Sequence, residues 1–306
     1  MANTSGSTVF NLDMSELIED AFERCGQELR TGYEMRTARR SLNLLTIEWA
    51  NRGINLWTID QGQITMNTGQ AIYAIPSDTI DLLDTVTRTG AGETQSDVTV
   101  TRISEPTYMS IPNKNATGRP VQVWINRQTG LTNSTTVVTV GDITSTDTTI
   151  TVSDSSKLAT VGFINIGSET IAYQNVSGNQ LLNCFRGQNN TTAAAHTSGS
   201  SIAIANLSSI NVYPTPSAPG NQYTFVYYRM RRIQDAGNGV NIQDIPFRLL
   251  NCMVAGLAFY LSQKIQGAEM RMPWLKSEYE EQWILASTED RDKSADRYVP
   301  RNLMYA

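Results

Sequence analysis

The hydrophobic pattern near the start of the chain is helical. Asp13 and Glu16 have the spacing of a capping box, in which each side chain bonds the backbone N–H of the other residue. Beyond them, apolar side chains recur at every fourth position: Leu17, Ala21, Cys25 and Leu29. The pattern predicts an amphipathic helix over residues 15–29.

A second helix is predicted over residues 34–51. The apolar residues of one face follow helical spacing: Ala38, Leu42, Leu45 and Trp49. Gly53 follows where a left-handed cap would end the helix. The other face is basic and carries Arg36, Arg39 and Arg40. Two interpretations of these arginines stay open, an ordinary solvated face and a contact surface for another subunit.

The pattern then changes to short alternating runs, which are typical of β-strands. Residues 63–66 and 71–75 alternate on either side of Asn67-Thr68-Gly69, and this arrangement predicts a hairpin. A short helix is predicted within residues 104–111. Three further strands are predicted in this part of the chain: residues 80–88, 98–103 and 121–127.

The composition shifts abruptly between Leu131 and Ser208, a stretch that we call the inserted segment. Only six of its residues are charged, whereas Thr, Ser, Asn, Val and Ile dominate. Short apolar runs separated by Gly and Asn predict a separate β-domain. The flanking residues 121–128 and 210–216 also have strand patterns, so we expect them to pair as a hairpin whose tip was opened by the insertion.

The last third of the chain returns to helical spacing. Residues 222–232 first form a strand that is apolar on both faces, which is typical of a strand covered on both sides. A long helix is predicted over residues 244–266, and Pro273 opens a last helix. Residues 288–306 have no period and would be disordered alone, so we expect them to bind a partner.

Together these elements predict an α+β fold class with a helical core, a small antiparallel β layer and an inserted all-β domain. We expect one discontinuous helical and β domain built from residues 1–130 and 207–287. The inserted β-rich domain covers residues 131–206, and residues 288–306 form an extended C-terminal tail.

Composition narrows the possible functions. The net charge of −5 argues against a surface that grips nucleic acid, because such binding depends on many Lys and Arg contacts to phosphate. The longest apolar stretch, Met253–Leu261, is too short to span a bilayer. The N-terminus has no secretory signal pattern. We therefore expect synthesis in the cytoplasm and no membrane contact.

Residues for catalysis or cofactor binding are sparse. His196 is the single histidine, and the three cysteines are far apart, so neither a Ser-His-Asp arrangement nor a zinc site is expected. No EF-hand, HExxH or phosphate-binding loop spacing occurs. We expect a chain that is not an enzyme and that needs no cofactor or metal.

Five segments resemble the podovirus head-to-tail adaptor family of the tail tubular A or tail accessory type. In chain order they read LNLLTIEWANRGINLWT, ATGRPVQVWINRQ, YTFVYYRMRRIQDAGN, DIPFRLLNCMVAGLAFYLSQKI and PWLKSEYEEQWILASTEDRD. The resemblance covers residues 12–128 and 209–302. Its most specific part is YYRMRRIQDAG with the helix that follows.

The resemblance implies a structural virion protein in the phage neck. Such proteins form a dodecameric ring with a helical adaptor core, which binds the portal protein on one side and the tail nozzle protein on the other, and through which DNA passes without specific binding. Arg36, Arg39 and Arg40 would then face a neighbouring subunit or the channel. The resemblance assigns portal binding to the tail, and the residues expected to carry it are Arg297, Tyr298, Arg301, Leu303 and Tyr305.

The stretch LLNCFRGQNNTTAAAHTSG resembles a module of phage tail and baseplate proteins. We interpret Arg186 and His196 as residues that fix this small β-fold, His196 through a side-chain hydrogen bond. Whether residues 131–206 contact tail fibres, the capsid or a neighbouring subunit stays open. A fibre or receptor-binding protein that recognises carbohydrate through the insert is the main alternative, and a hydrolase using Glu280 and Glu281 is another.

Overall fold

The computed structural model describes residues 12–53, 56–217, 222–237 and 241–289. The chain divides into two compact units. The helical unit consists of the described residues up to Thr58 and those from Arg232 onward. The β unit is Ile59–Arg231.

Five α-helices lie within the described residues: α1 Met14–Arg24, α2 Gly32–Arg52, α3 Glu105–Met109, α4 Leu250–Ser262 and α5 Met272–Glu289. All except α3 belong to the helical unit. The predicted capping box of Asp13 and Glu16 is present at the start of α1. Gly53 ends α2 with a φ of 87°, so the predicted left-handed cap is also confirmed.

Helix α4 is the centre of the helical unit and contacts α1, α2 and α5. None of its thirteen residues is charged, and a helix that is apolar on all sides is stable only when it is covered on all sides. Gly256 lets its neighbours approach closely, because a Cβ atom there would lie 2.8 Å from the Tyr279 ring and 2.9 Å from Leu45. Between α2 and α5, the buried Trp49 indole donates a hydrogen bond to the Tyr279 hydroxyl at 3.1 Å.

Two predicted helices are longer than the observed ones. The first was expected to reach residue 29 but ends at Arg24, because Gly26 adopts a left-handed φ of 79°. The helix predicted over residues 244–266 is α4, preceded by a 3-10 turn at Phe247–Leu249. The apolar stripe begins at Phe247, in the 3-10 turn before α4, and the predicted end at residue 266 lies beyond Ser262, where α4 ends.

The described residues contain eighteen strands. In the flanking parts of the β unit these are β1 Ile59–Thr65, β2 Ile72–Ala74, β3 Thr79–Thr89, β4 Ser96–Thr99, β5 Thr101–Arg102, β6 Thr117–Gly118, β7 Gln122–Asn126, β16 Ser209–Tyr213, β17 Thr215–Pro216 and β18 Thr224–Arg231. In the inserted segment they are β8 Thr132–Val138, β9 Thr149–Thr151, β10 Gly162–Ile166, β11 Glu169–Tyr173, β12 Asn175–Ser177, β13 Gln180–Leu182, β14 Phe185–Gln188 and β15 Ser201–Ala205.

The strands form five sheets. Two four-stranded sheets, ordered β1-β18-β3-β4 and β2-β16-β7-β5, share one hydrophobic core, and we call this pair the flanking sheets. The inserted segment supplies a five-stranded sheet, β14-β11-β10-β15-β8, and a three-stranded sheet, β12-β13-β9, around a second core. The fifth sheet is the parallel pair β17-β6.

The inserted segment is joined to the flanking sheets by side-chain contacts as well as by the chain. Ile72 of the flanking sheets is buried in one cluster with Phe163, Ala172 and Ala205 of the inserted segment. Beside this cluster, the buried Gln70 amide donates to the Gln188 side chain at 2.9 Å. We call these residues the seam. The predicted division of residues 131–206 into a separate domain stays a prediction.

The predicted fold class is wrong. With eighteen strands in five sheets, the described part of the chain is mostly β-sheet, and not a helical core with a small β layer. The reason is that much of the sheet forms between distant parts of the sequence, as where β1 pairs with β18. Local periodicity identifies a strand but does not reveal how many distant strands join it.

The hairpin predicted around Asn67-Thr68-Gly69 is also wrong. The chain does turn there, but β1 pairs with β18 and β2 pairs with β16, in two different sheets. The second predicted pairing is confirmed, because β7 and β16 are antiparallel neighbours with Ser209 opposite Asn126. The inserted segment therefore leaves and returns at adjacent ends of two paired strands.

Candidate functional site

The outward face of α2 combines basic and apolar side chains. The buried residues of α2 turn toward the core that surrounds α4, so the opposite side of the helix faces away from it. Exposed side chains on that side follow helical spacing and form what we call the basic face: Tyr33, Arg36, Arg40, Leu44 and Ile47. Leu44 is 52% exposed and Ile47 is 57% exposed, high values for large apolar side chains three residues apart. A surface of this composition is typical of a protein contact.

The three predicted arginines of α2 have different surroundings. Arg36 forms no hydrogen bond or ion pair with any described residue, and Arg40 bonds only Thr37 of its own helix, at 3.3 Å. Arg39 is half-buried and donates to the backbone carbonyl of Gly237, so it holds that loop against α2. Arg36 and Arg40 therefore lie together on the basic face, whereas Arg39 belongs to the framework behind it.

Helix α1 presents a face of the opposite charge. Its buried side packs on α4, and its exposed side carries Glu16, Glu19 and Glu23, which we call the acidic face. Glu16 also accepts the backbone N–H of Asp13 in the capping box. Glu19 and Glu23 form no ion pair with any described residue. No role is predicted for this face from the sequence, although its i, i+3, i+7 spacing is visible there.

An apolar groove lies beside the acidic face, between α1 and the start of α4. Its volume is about 370 Å³, and Phe247, which is 62% exposed, stands at its wall. The groove is lined by Leu12, Asp20, Arg24, Phe247, Leu250, Asn251 and Val254. Arg24 is held there by Asp20 at 3.4 Å and by Glu278 at 2.9 Å. The helical unit thus carries apolar projections on α2 and an apolar depression next to α1.

The five residues predicted to bind a portal lie outside the described residues, and so does most of the tail. They are Arg297, Tyr298, Arg301, Leu303 and Tyr305. The carboxylates considered for hydrolysis are described. Arg52 binds Glu280 through two hydrogen bonds, of 3.0 and 3.1 Å, whereas Glu281 is exposed. The hydrogen bonds from Arg52 lower the pKa of Glu280.

A buried carboxylate organises the inserted segment. Glu169 on β11 is fully buried and is bound by the Arg186 guanidinium at 2.7 and 2.8 Å. Its oxygens also accept the backbone N–H groups of Gly187, at 3.0 Å, and Ala194, at 3.1 Å. The His196 Nε2 atom lies 2.7 Å from Oε2, which confirms the predicted side-chain hydrogen bond of His196.

The environment of Glu169 fixes its charge. Burial alone would raise the pKa of this carboxyl, but the hydrogen bonds from Arg186, His196 and the two backbone N–H groups outweigh it and lower the pKa to about 2. Arg186 also donates to the backbone carbonyls of Thr144 and Ala194 and so ties the two loops that contain them to β14. An ionised carboxylate with both oxygens occupied is suited to holding a fold and poorly suited to proton transfer. The role of Glu169 is not predicted from the sequence, although this residue is the only glutamate of the inserted segment.

A cleft of the β unit lies at the seam. Its volume is about 620 Å³, and the inserted segment contributes Gln188, Asn189 and Asn190 to it. Both asparagines have left-handed φ angles, of 54° and 59°. The flanking sheets contribute further polar side chains: Gln63, Thr65, Asn67, Ser77 and Asp78. This cleft could accept a polar ligand of the size of a small sugar.

Other kinds of site are absent from the described part of the chain. No three His, Cys, Asp or Glu side chains there come together as metal ligands. Cys25, Cys184 and Cys252 are buried and unpaired. Within the same residues, no helix is both long and apolar enough to cross a membrane. No protein-family model matches the sequence, and no curated protein is significantly similar to it.

Proposed function

We propose that this chain is a structural adaptor subunit of a phage neck, which forms a ring that joins the portal to the tail nozzle and extends the DNA channel. The resemblance of five segments to podovirus head-to-tail adaptors is the first support. The proposed localisation is the virion, and the proposed work is mechanical, with no covalent step.

The observation that carries the proposal is the basic face of α2. Helix α2 packs on α4, nine of whose thirteen residues are buried, so the exposed Arg36, Arg40, Leu44 and Ile47 project from one side of a packed helix. Exposed arginine and large apolar side chains on one helix face are favourable for binding another protein, because the apolar groups can be buried and each guanidinium supplies several hydrogen-bond donors. In a ring, each copy repeats this contact, and many weak contacts sum to a stable assembly.

The tail after α5 is proposed to anchor the ring to the portal. Arg297, Tyr298 and Arg301 offer bidentate and aromatic contacts, and the last residues, Leu303 and Tyr305, are apolar. The nozzle would bind elsewhere on the ring. Residues 131–206 would contact tail fibres or the capsid.

The decisive experiment is a cryo-EM map of the virion neck together with a portal-binding assay. The full chain is expected to bind purified portal, and a chain lacking residues 290–306 is expected to keep its circular dichroism but to lose binding. Replacing Arg297, Tyr298 and Arg301 by Ala should have the same effect, whereas Lys293→Ala in the same tail should not. Density for this chain only in spikes away from the portal vertex would refute the proposed function.

A second candidate is a fibre or receptor-binding protein. The seam cleft favours it, because amide and carboxylate side chains such as Gln188, Asn190 and Asp78 are suited to hydroxyl-rich ligands. This candidate predicts a trimer and saturable binding of host polysaccharide that Asn190→Ala weakens. The adaptor proposal predicts a larger ring, or a subunit that oligomerises on portal.

A further inference from the structure

Two faces of the helical unit are complementary in charge. The acidic face of α1 carries Glu16, Glu19 and Glu23, and the basic face of α2 carries Arg36 and Arg40. Among the described residues, Glu19, Glu23 and Arg36 have no ion-pair partner. Neither face is neutralised by the described residues of its own chain, so within this part of the structure each presents a net charge.

The spacing of the charges also matches. Glu19 and Glu23 are four residues apart on α1, and Arg36 and Arg40 are four residues apart on α2. Four residues rise about 6 Å along a helix, so two helices laid side by side could form both pairs at once. Arginine is suited to such contacts, because its planar guanidinium binds a carboxylate with two hydrogen bonds.

The apolar parts of the two faces are complementary in shape. Leu44 and Ile47 project from the basic face, whereas the groove lined by Leu12, Phe247 and Val254 lies beside the acidic face. Burying projecting aliphatic side chains in such a groove supplies affinity, while the flanking charges select the orientation. Charge, spacing and shape therefore all match the acidic face and its groove to the basic face of a second copy.

We propose that the acidic face of one copy binds the basic face of the next copy. The two faces belong to different helices, so the contact is not self-complementary and leaves one free face on each member of a pair. A repeated contact of this kind builds a closed ring, or a filament if it does not close. This inference rests on one part of the proposed function, that copies of the chain assemble. It adds the two surfaces through which they would contact each other.

The test uses two charge-reversed variants of the full chain. Variant A carries Arg36→Glu with Arg40→Glu, and variant B carries Glu19→Arg with Glu23→Arg. Glu16 is left unchanged because it completes the capping box. All four side chains are on helix surfaces, so both variants should keep the circular dichroism and melting temperature of the unchanged chain.

Assembly is measured by sedimentation velocity and native mass spectrometry at low salt. The unchanged chain is expected to form rings, and each variant alone should associate at least about 100-fold more weakly, because like charges then face each other. Mixing A with B should restore rings of even number with the two variants in equal amounts, since every A–B contact again joins opposite charges. The chain that carries all four substitutions should also assemble.

The control reverses two basic side chains outside both faces, Lys157→Glu with Lys276→Glu, and alters net charge as much as variant A does. It should assemble like the unchanged chain. A chain that stays monomeric at high concentration both alone and with purified portal, or variants that assemble normally alone, would overturn the docking of copies through these faces. Portal binding could still succeed in either case, so failure here is distinguishable from failure of the adaptor function.

Discussion

Replacing Glu169 by Gln should be the most damaging single conservative change in the inserted segment. The variant keeps the shape of the side chain but leaves the Arg186 guanidinium, whose side chain is 7% exposed, without its counter-charge. Removing one partner of a buried ion pair costs about 3–5 kcal/mol. The pKa gives a similar figure. A fall from 4.5 to about 2 corresponds to roughly 3 kcal/mol of stability at neutral pH.

The sign of the pH effect follows from the lowered pKa. Because the folded state holds Glu169 ionised, its contribution is complete above pH 4.5 and is lost as the pH falls toward about 2. The unchanged chain should therefore lose stability in the inserted segment across this window. The Gln variant should lack that part of the pH dependence.

Hydrogen–deuterium exchange is the suitable assay, because it reports on β10 and β11 separately from the helical unit. Peptides covering residues 162–173 should exchange at least about 100-fold faster in Glu169→Gln at neutral pH, in line with the predicted loss. The exposed Asp142→Asn is the matched control and should change little. Equal exchange in the Gln variant and the unchanged chain would refute the view that this carboxylate holds the segment together.

The remaining predictions concern the two cores and the seam. Gly256→Ala should destabilise the helical unit by about 1–3 kcal/mol in urea denaturation, because its Cβ would meet Tyr279 and Leu45; unchanged stability would contradict the close packing. Cys25, Cys184 and Cys252 should react with a thiol reagent only on unfolding, since burial raises the pKa of the Cys25 thiol to about 11 and those of the other two to about 12; fast labelling of the native chain would refute this. Replacing residues 131–208 by a short turn should lower the melting temperature of the flanking sheets, because Ile72 and Gln70 lose their seam partners; an unchanged melting temperature would contradict a structural role of the seam.

Local signals in the sequence were sufficient for the helical unit. The capping box of Asp13 and Glu16, the glycine cap and the i, i+4 apolar stripes depend on residues within one or two turns, and the helices predicted from them are present. The predicted helix ends are wrong where a glycine adopts a left-handed conformation, as at Gly26. They are also wrong where apolar residues continue beyond the α-helix, as before α4.

The β unit was less predictable because its order is non-local. Residues 63–66 and 71–75 have strand patterns, but their partners lie more than a hundred residues away in the chain. The pairing of β7 with β16 could be predicted because both strands adjoin the boundaries of the inserted segment. The periodic pattern therefore identifies many individual strands, but it does not show that strands make up most of the fold.

Among the candidate site residues, those that depend on local sequence could be predicted, whereas those that depend on distant partners could not. Arg36 and Arg40 could be found from the sequence, because an exposed helix face is a local property. That Arg39 instead holds Gly237 depends on a loop nearly two hundred residues away. The buried role of Glu169 depends on partners on β14 and in the stretch that follows it, 17 to 27 residues further along the chain. A charged residue is predicted as exposed by default, so a buried, fully bonded charge is the kind of feature that a single sequence conceals.

The seam bears on how the inserted segment transmits a contact to the rest of the chain. A segment joined to the flanking sheets only by its two chain connections could rotate about them. A partner bound to such a segment would have little effect on the position of the flanking sheets. Here Ile72 shares a buried cluster with Phe163 and Ala172, and Gln70, fully buried, bonds Gln188. Loss of any of these contacts would leave apolar surface or an amide group unsatisfied, so pivoting carries a free-energy cost. The seam therefore restrains the inserted segment against pivoting on its two chain connections.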